Sequence, residues 1–220
     1  MIINNDMEFA EYIPQGEIEN LVIMLHGYGA DKNDLIGLAS HLEYGLPNTA
    51  FVSPDAIQPC EMGVGKQWFS IGNMDKTKIY DGLKNAYPYI DEFIKQQIKR
   101  FSLSPDKVAL LGFSQGTMLS LHIAPRQIEQ FACVVGFSGM LVGSDSLADE
   151  CKTKPPICLI HGDADEVVDV EFSKLARDCL VENNFVVENL ICSGLGHGID
   201  NDGLLFAITF LRKYLITIKS

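Results

Sequence analysis

The stretch Lys107-Val108-Ala109-Leu110-Leu111-Gly112-Phe113-Ser114-Gln115-Gly116-Thr117-Met118 decides how the rest of this chain is read. Val108 to Leu111 is apolar at every step and too brief for a helix, the pattern of a strand buried on both faces of a parallel sheet. It stops at Gly112. Beyond Gly116, Met118, Leu119, Leu121, His122 and Ile123 continue into a helix that Pro125 helps to end. The local order is therefore strand, tight turn, helix.

A serine hydroxyl is a weak nucleophile until it is held where a base can take its proton and a carbonyl can reach it. A sharp turn with Ser114 at its apex does the holding. The residues two places to either side must then lack side chains, because strand and helix nearly touch, and Gly112 and Gly116 meet that demand. In this context G-x-S-x-G reads as the nucleophile elbow of an α/β-hydrolase. A glycine-rich βα turn can instead cradle a phosphate, but the Walker-type lysine and the G-x-G-x-x-G spacing that such sites favour are missing.

The 220 residues suit one domain, residues 1–220, able to bury roughly 70% of its unfolded surface. A formal charge of −12 argues against nucleic acid or an anionic membrane as the main partner. The six cysteines form no C-x-x-C pair, and Cys133, Cys158 and Cys192 lie in apolar runs. They read as small core residues in a reducing compartment, not as a disulfide or zinc framework. The N-terminus lacks a signal-peptide pattern and no stretch is long and apolar enough to span a bilayer, so the expected location is the cytoplasm.

Along the chain, strand patterns alternate with helical ones. An edge strand is expected over 8–13, buried strands over 21–25, 50–52, 108–111, 131–137, 157–160 and 185–191, and helices over 31–44, 81–101, 170–181 and 204–218. Pro88 should kink or restart its helix. Residues 56–77, which include Trp68, show no periodicity and read as a long loop, and 138–154 as a polar stretch with room for a short helix. This alternation predicts an α/β fold with a mostly parallel central sheet, helices on both faces and no separate cap domain.

Loops at the carboxyl ends of parallel strands converge on one sheet edge. Asp165 follows the strand ending at Ile160, and His197 lies in a glycine-rich loop after the strand ending near Ile191. Ser114, Asp165, His197 is the chain order of an α/β-hydrolase triad. His197 would take the Ser114 proton, Asp165 would hold the imidazole in the useful tautomer, and the backbone N–H groups of Tyr28 and Gln115 would receive the oxyanion. Asp163 shares the turn with Asp165 and is the alternative acid, better placed to fix the turn. Of the remaining histidines, His122 reads as core, His41 as surface, and His26 and His161 as braces of the turns that end their strands. Trp68 either packs against the surface or lines an acyl pocket. Trp68 and Val168 are the substrate-binding candidates.

With these residues in view the chain resembles the carboxylesterase/phospholipase family, which includes bacterial carboxylesterases and acyl-protein thioesterases. LHGYGADKNDL (25–35), VSPDA (52–56), QWFSI (67–71), LLGFSQGTM (110–118), IHGDADEVV (160–168) and GLGHGID (194–200) carry the resemblance over nearly the whole chain. It implies the triad and oxyanion donors named above, no cofactor, no metal, no lid and frequent homodimers. The implied reaction is hydrolysis of short- to medium-chain acyl esters through an acyl-enzyme, with acyl-protein thioesters or lysophospholipids as the alternative. Thr117 stands where many members carry Gly, a change the helix's first turn should accept. Asp165-Glu166-Val167-Val168-Asp169 lacks the Pro of many members, and residues 60–65 differ from the thioesterase-like ones.

Overall fold

In the computed structural model, which describes residues 7–71 and 75–216, the apolar runs become strands. They are β1 (Phe9–Tyr12), β2 (Asn20–Leu25), β3 (Thr49–Pro54), β4 (Gln58–Pro59), β5 (Lys66–Gln67), β6 (Val108–Phe113), β7 (Cys133–Phe137), β8 (Ile157–Gly162) and β9 (Val187–Cys192). Seven of them form one sheet in the order β1-β3-β2-β6-β7-β8-β9, while β4 and β5 pair only with each other. Only β1 runs antiparallel to its neighbour in the large sheet; the other pairings are parallel. The helices are α1 (Asn33–Ile36), α2 (Ala39–Leu42), α3 (Lys76–Phe101), α4 (Gln115–Ile123), α5 (Ser144–Glu150), α6 (Glu171–Glu182) and α7 (Asn201–Leu215).

Because side chains alternate across a strand, the sheet sorts its residues into two cores. Leu21, Ile23 and Leu25 of β2, with Val108 and Leu110 of β6, pack under α3, α4 and α6 through Ile90, Phe93, Leu119, Leu121 and Leu180. Val22 and Met24, with Ala109 and Leu111, pack under α1, α2 and α7 through Leu35, Leu42, Ala207, Phe210 and Leu211. Both faces are thus covered, and Cys133, Cys158 and Cys192 fall in the second core. All six cysteines are unpaired. Burial pushes the Cys133 and Cys158 thiols up, away from the thiolate form. Among the described residues no helix is long and apolar enough to cross a membrane.

The structure departs from the sequence pattern in four places. The helix expected over 31–44 is split into α1 and α2, where Gly37 interrupts and Leu38 N–H donates to Leu35 O in an i→i−3 bond. Both pieces still bury Leu35, Ala39 and Leu42. Conversely, α3 starts earlier, capped by Asp75, and passes through Pro88 without restarting. Pro88 is exposed, so the carbonyl it leaves unbonded can turn to water, and the buried stripe on the opposite face holds the helix together. The loop over 56–77 contains the β4–β5 hairpin. Finally, α7 begins at Asn201, with Asp200 accepting from Gly203 N–H, and ends at Leu215; positions 217–218 of the expected helix lie outside the described residues.

His122 is buried at 3% exposure on α4, edge-on to Tyr80 and Tyr87 with ring centroids 5.8 and 6.0 Å away. Burial, reinforced by Arg126 and Lys84 and opposed by Glu150, pushes its pKa down to about 4. The unfolded chain binds this proton below about pH 6.5 while the folded one stays neutral. Stability from this group is therefore complete above that pH and declines as pH falls toward 4, by at most about 3 kcal/mol. His26, also pushed down by burial, adds in the same direction. His122→Phe should narrow the difference in melting temperature between pH 7 and pH 5, as followed by circular dichroism. An unchanged difference would refute the assignment.

Candidate active site

At the end of β6 the chain reverses within one residue. Ser114 has φ 52° and ψ −113°, a conformation that side chains disfavour, and α4 starts at the next position. Glycines make the reversal possible. A Cβ on Gly112 would lie 2.5 Å from the Gly116 backbone, and one on Gly116 would lie 1.8 Å from Leu25 O. The first turn of α4 therefore presses directly on the end of β2. Thr117 fits because Gly136 and Gly139 leave room for its methyl group, while its hydroxyl lies 2.8 Å from both Gly112 O and Phe137 O.

β2 runs into the turn Gly27-Tyr28-Gly29-Ala30, closed by Ala30 N–H donating to Gly27 O, with Gly29 at φ 81°. In such a turn the N–H of the second residue, Tyr28, takes no part in the closing bond. A Cβ on Gly27 would sit 3.4 Å from Ser114 Cβ, so this turn lies against the serine. The Gln115 N–H opens α4 and, like any first-turn donor, has no helical acceptor behind it. Two N–H groups thus flank Ser114.

Three side chains hold this arrangement. His26 accepts from Ala56 N–H at Nε2, 3.1 Å, which leaves Nδ1 to donate to Gly27 O at 2.7 Å. Trp68 donates from Nε1 to His26 O at 2.9 Å and is tilted against the His26 ring. The Gln115 amide clips the 68–69 segment from both sides, accepting from Trp68 N–H at 2.9 Å and donating to Phe69 O at 2.7 Å. On the outer flank, Lys66 of β5 donates to Ala30 O and accepts from Gly29 N–H, so the hairpin clasps the turn.

Asp165 and His197 are joined. His197 Nδ1 lies 2.8 Å from Asp165 Oδ2, the carboxylate is fully buried, and the imidazole keeps 18% exposure. Burial alone would raise the Asp165 pKa, but His197 and the Val168 and Val167 N–H groups outweigh it and hold the carboxyl below its usual range. An ionised Asp165 makes Nδ1 the protonated nitrogen and leaves the Nε2 lone pair as the base. The two loops are stitched together: Ala164 N–H donates to Leu195 O, Asp163 N–H to Cys192 O, and Gly194 N–H to Asp163 Oδ1 at 2.6 Å. Asp163 thus tethers the loop that carries His197, and Asp165 is the carboxylate that meets the imidazole. The His197 ring packs on Phe113 at 4.9 Å, one residue before Ser114.

The structure accordingly gathers Ser114, His197, Asp165, Tyr28 and Gln115 at one sheet edge. The substrate-binding candidates stand differently. Trp68 is 1% exposed and Val168 3%, so neither side chain offers surface to a ligand. Trp68 braces the Gly27–Ala30 turn from behind, and the backbone of Val168 holds the acid. The Gln115 side-chain clip escapes a sequence reading because its partners lie in the aperiodic 56–77 segment. Among the described residues no group of three or more His, Cys, Asp or Glu side chains is arranged to hold a metal ion. Beyond Gly139, whose Cβ would lie 3.0 Å from Ser114 O, Met140, Leu141 and Val142 lead into an open groove of about 980 Å³ shared with Tyr80, Phe172 and Leu175.

Residues 10–215 match the family profile described as Phospholipase/Carboxylesterase. The chain is 26% identical to esterase YpfH of Escherichia coli K12 over 93% of this chain and 87% of that protein. It is 28% identical to acyl-protein thioesterase 1 of Gibberella zeae over 88% of this chain and 90% of the relative. The crystal structure of esterase PE8 superposes with a TM-score of 0.91 at 35% identity, covering 95% of this chain and 99% of the other.

The contact at Gly116 can be tested directly. Gly116→Ala forces a methyl group into the Leu25 carbonyl, and overpacking of this kind costs about 1–3 kcal/mol or more. Gly198→Ala, with nothing within 4 Å of the added carbon, should stay within about 0.5 kcal/mol of the parent. Urea unfolding of both variants checks the contrast.

Proposed function

We propose, on the premise that this chain belongs to the phospholipase/carboxylesterase family, that it is a serine hydrolase of short- to medium-chain acyl esters, with Ser114, His197 and Asp165 as its triad. The observation that carries the reading is the 2.8 Å pairing of His197 with a buried carboxylate, on a loop stitched beside the Ser114 elbow. The esterase and thioesterase names of its relatives point to the same reaction class.

In this mechanism His197 Nε2 takes the Ser114 proton as Oγ bonds to the substrate carbonyl carbon. The carbonyl oxygen becomes an oxyanion and is received by the Tyr28 and Gln115 N–H groups, which are already fixed and need no reorganisation. Collapse breaks the carbon–oxygen bond to the alcohol, which leaves with the proton from His197. Water, deprotonated by the same imidazole, then attacks the acyl-serine, and as the acyl–Oγ bond breaks His197 returns the proton to Ser114 Oγ and the acid is released. Asp165 stays ionised throughout and offsets the charge on the imidazolium. The groove past Gly139 carries apolar walls at Met140, Leu141 and Phe172 beside polar ones at Ser144 and Asp145, and on this reading the acyl chain lies along the apolar side, where burial favours each CH₂ by about 0.8 kcal/mol.

The same machinery would cleave an acyl thioester or a lysophospholipid, and the groove favours that reading if activity rises with chain length. The enzyme acts as one domain, residues 1–220, needs no cofactor and resides in the cytoplasm, where six unpaired cysteines remain reduced. Homodimers are part of this proposal.

p-Nitrophenyl esters of graded chain length test the reaction. Ser114→Ala and His197→Ala should each lower turnover on the order of 10⁶-fold, and Asp165→Asn roughly 10⁴-fold. Hydrolysis by Ser114→Ala at the parental rate would overturn the mechanism, and Asp163→Asn proving worse than Asp165→Asn would overturn the choice of acid. A panel of acyl-CoA, acylated peptide and lysophosphatidylcholine separates ester from thioester and lysophospholipid preference.

A further inference from the structure

His161, the penultimate residue of β8, is fully buried and has a chemical feature that a simple turn brace does not need. Its Nε2 lies 2.7 Å from Val168 O and 3.2 Å from Asp165 Oδ2. A carbonyl only accepts, so Nε2 carries the proton and Nδ1 is left as a bare lone pair. That Nδ1 is buried without a hydrogen-bond partner. An orphaned buried acceptor carries a desolvation cost, and a persistent one calls for a compensating role.

The compensation is visible at the carboxylate. Asp165 Oδ1 accepts from Val167 N–H at 2.8 Å and Val168 N–H at 2.9 Å, while Oδ2 faces His197 Nδ1 at 2.8 Å and His161 Nε2 at 3.2 Å. A carboxylate offers about four lone-pair sites, and here Oδ1 accepts two N–H bonds while Oδ2 is bonded by His197 and has the His161 ring against it. His161 also grips Val168 O while Asp165 grips Val168 N–H, so the two side chains hold the consecutive peptide groups on either side of the Val168 Cα.

We infer that His161 is a positioning residue for the proposed reaction: its Nε2–H, donated to Val168 O, holds the residue whose own N–H binds Asp165 Oδ1, and with the ring lying against Oδ2 this fixes the carboxylate rotamer that aims His197 at Ser114. The inference rests on the reading of Asp165 as the partner of the catalytic base. It predicts an effect on turnover with little on substrate binding, because His161 lies behind the acid and away from the groove.

His161→Leu removes the donor, and His161→Gln returns an N–H at the Nε2 distance. A displacement of the base by about 1 Å costs on the order of 10²-fold, so kcat of His161→Leu on a p-nitrophenyl ester should fall roughly ten- to hundredfold, with KM within about twofold, and His161→Gln should recover most of it. The downfield proton NMR resonance of the Asp165–His197 bond, assigned by its loss in His197→Gln, should shift or broaden in His161→Leu and return in His161→Gln. Where His161→Leu does not accumulate folded, His161→Asn, whose amide stops at the Nδ1 position, replaces it with the same expectation. A folded donor-free variant with parental kcat and an unmoved resonance overturns the inference. So does a His161→Gln protein that matches the donor-free variant in kcat and melting temperature, since that marks a purely structural ring. If the parent itself hydrolyses no ester, the functional reading fails and the resonance alone judges His161.

Discussion

The structure depends on one backbone approach: the first turn of α4 lying so close to the end of β2 that a single methyl group at Gly116 would strike Leu25 O at 1.8 Å. That distance does two things. It lets the chain turn at Ser114 within one residue, and it brings the N–H at the start of α4 beside the turn that follows β2. Ser114 adopts its unfavourable φ of 52° because strand β6 and helix α4 are each anchored on either side of it. Strain of this kind costs about 1–3 kcal/mol and persists only where the surroundings over-determine the backbone. Both cores supply that constraint: β6 contributes alternate residues to each, and α4 is buried along its whole length.

The second constraint is the buried carboxylate. An isolated charge in a protein interior would protonate instead of remaining ionised, so an enclosed Asp165 keeps its charge only through donors. The parallel register of β8 and β9 sets these up, since paired strands deliver their following loops side by side. Gly162 then lets the two loops touch, for a Cβ there would lie 2.1 Å from Leu195 O. The backbone bonds between the loops hold the His197 imidazole against the Asp165 carboxylate without any ligand, and on the proposed mechanism such preorganisation is the condition under which electrostatic stabilisation is most effective.

Much of this was legible in the sequence for reasons that are local. Val108–Leu111 and Leu21–Leu25 are apolar at every position because both faces of the sheet are covered, and G-x-S-x-G marks a contact that only glycine permits. The ranking of residues 163 and 165 rests on the expectation that the earlier one fixes the turn; Asp163 instead accepts from Gly194 N–H of the neighbouring loop, and Asp165 itself accepts from the Val167 and Val168 N–H groups while it meets the imidazole. The illegible parts depend on distant partners. Gly37 splits a helical stripe that periodicity alone would join, and Pro88 stays inside a helix because tertiary burial of the opposite face overrides its propensity. Trp68 sits in a segment with no period, so nothing local indicates that its indole donates to His26 O or that Gln115 holds its backbone.

Rigidity is distributed unevenly around the site, and the distribution follows from what each part must do. The donor side is doubly fixed: His26 and Trp68 hold the Gly27–Ala30 turn from within, and Lys66 of the hairpin holds it from outside. The base side hangs on loop-to-loop backbone bonds and on a ring packed against Phe113, with His197 left partly exposed. On the proposed mechanism, an imidazole that exchanges protons with both a serine and an incoming water needs one open face, whereas an oxyanion pocket gains from having none of its donors free to turn toward solvent. The groove beyond Gly139 is open and is bounded by Met140, Leu141, Phe172 and the half-exposed Leu175. The surroundings of Ser114 are thus shaped by backbone contacts that tolerate no added atom, while the groove beyond Gly139 is lined by side chains that make none of those contacts.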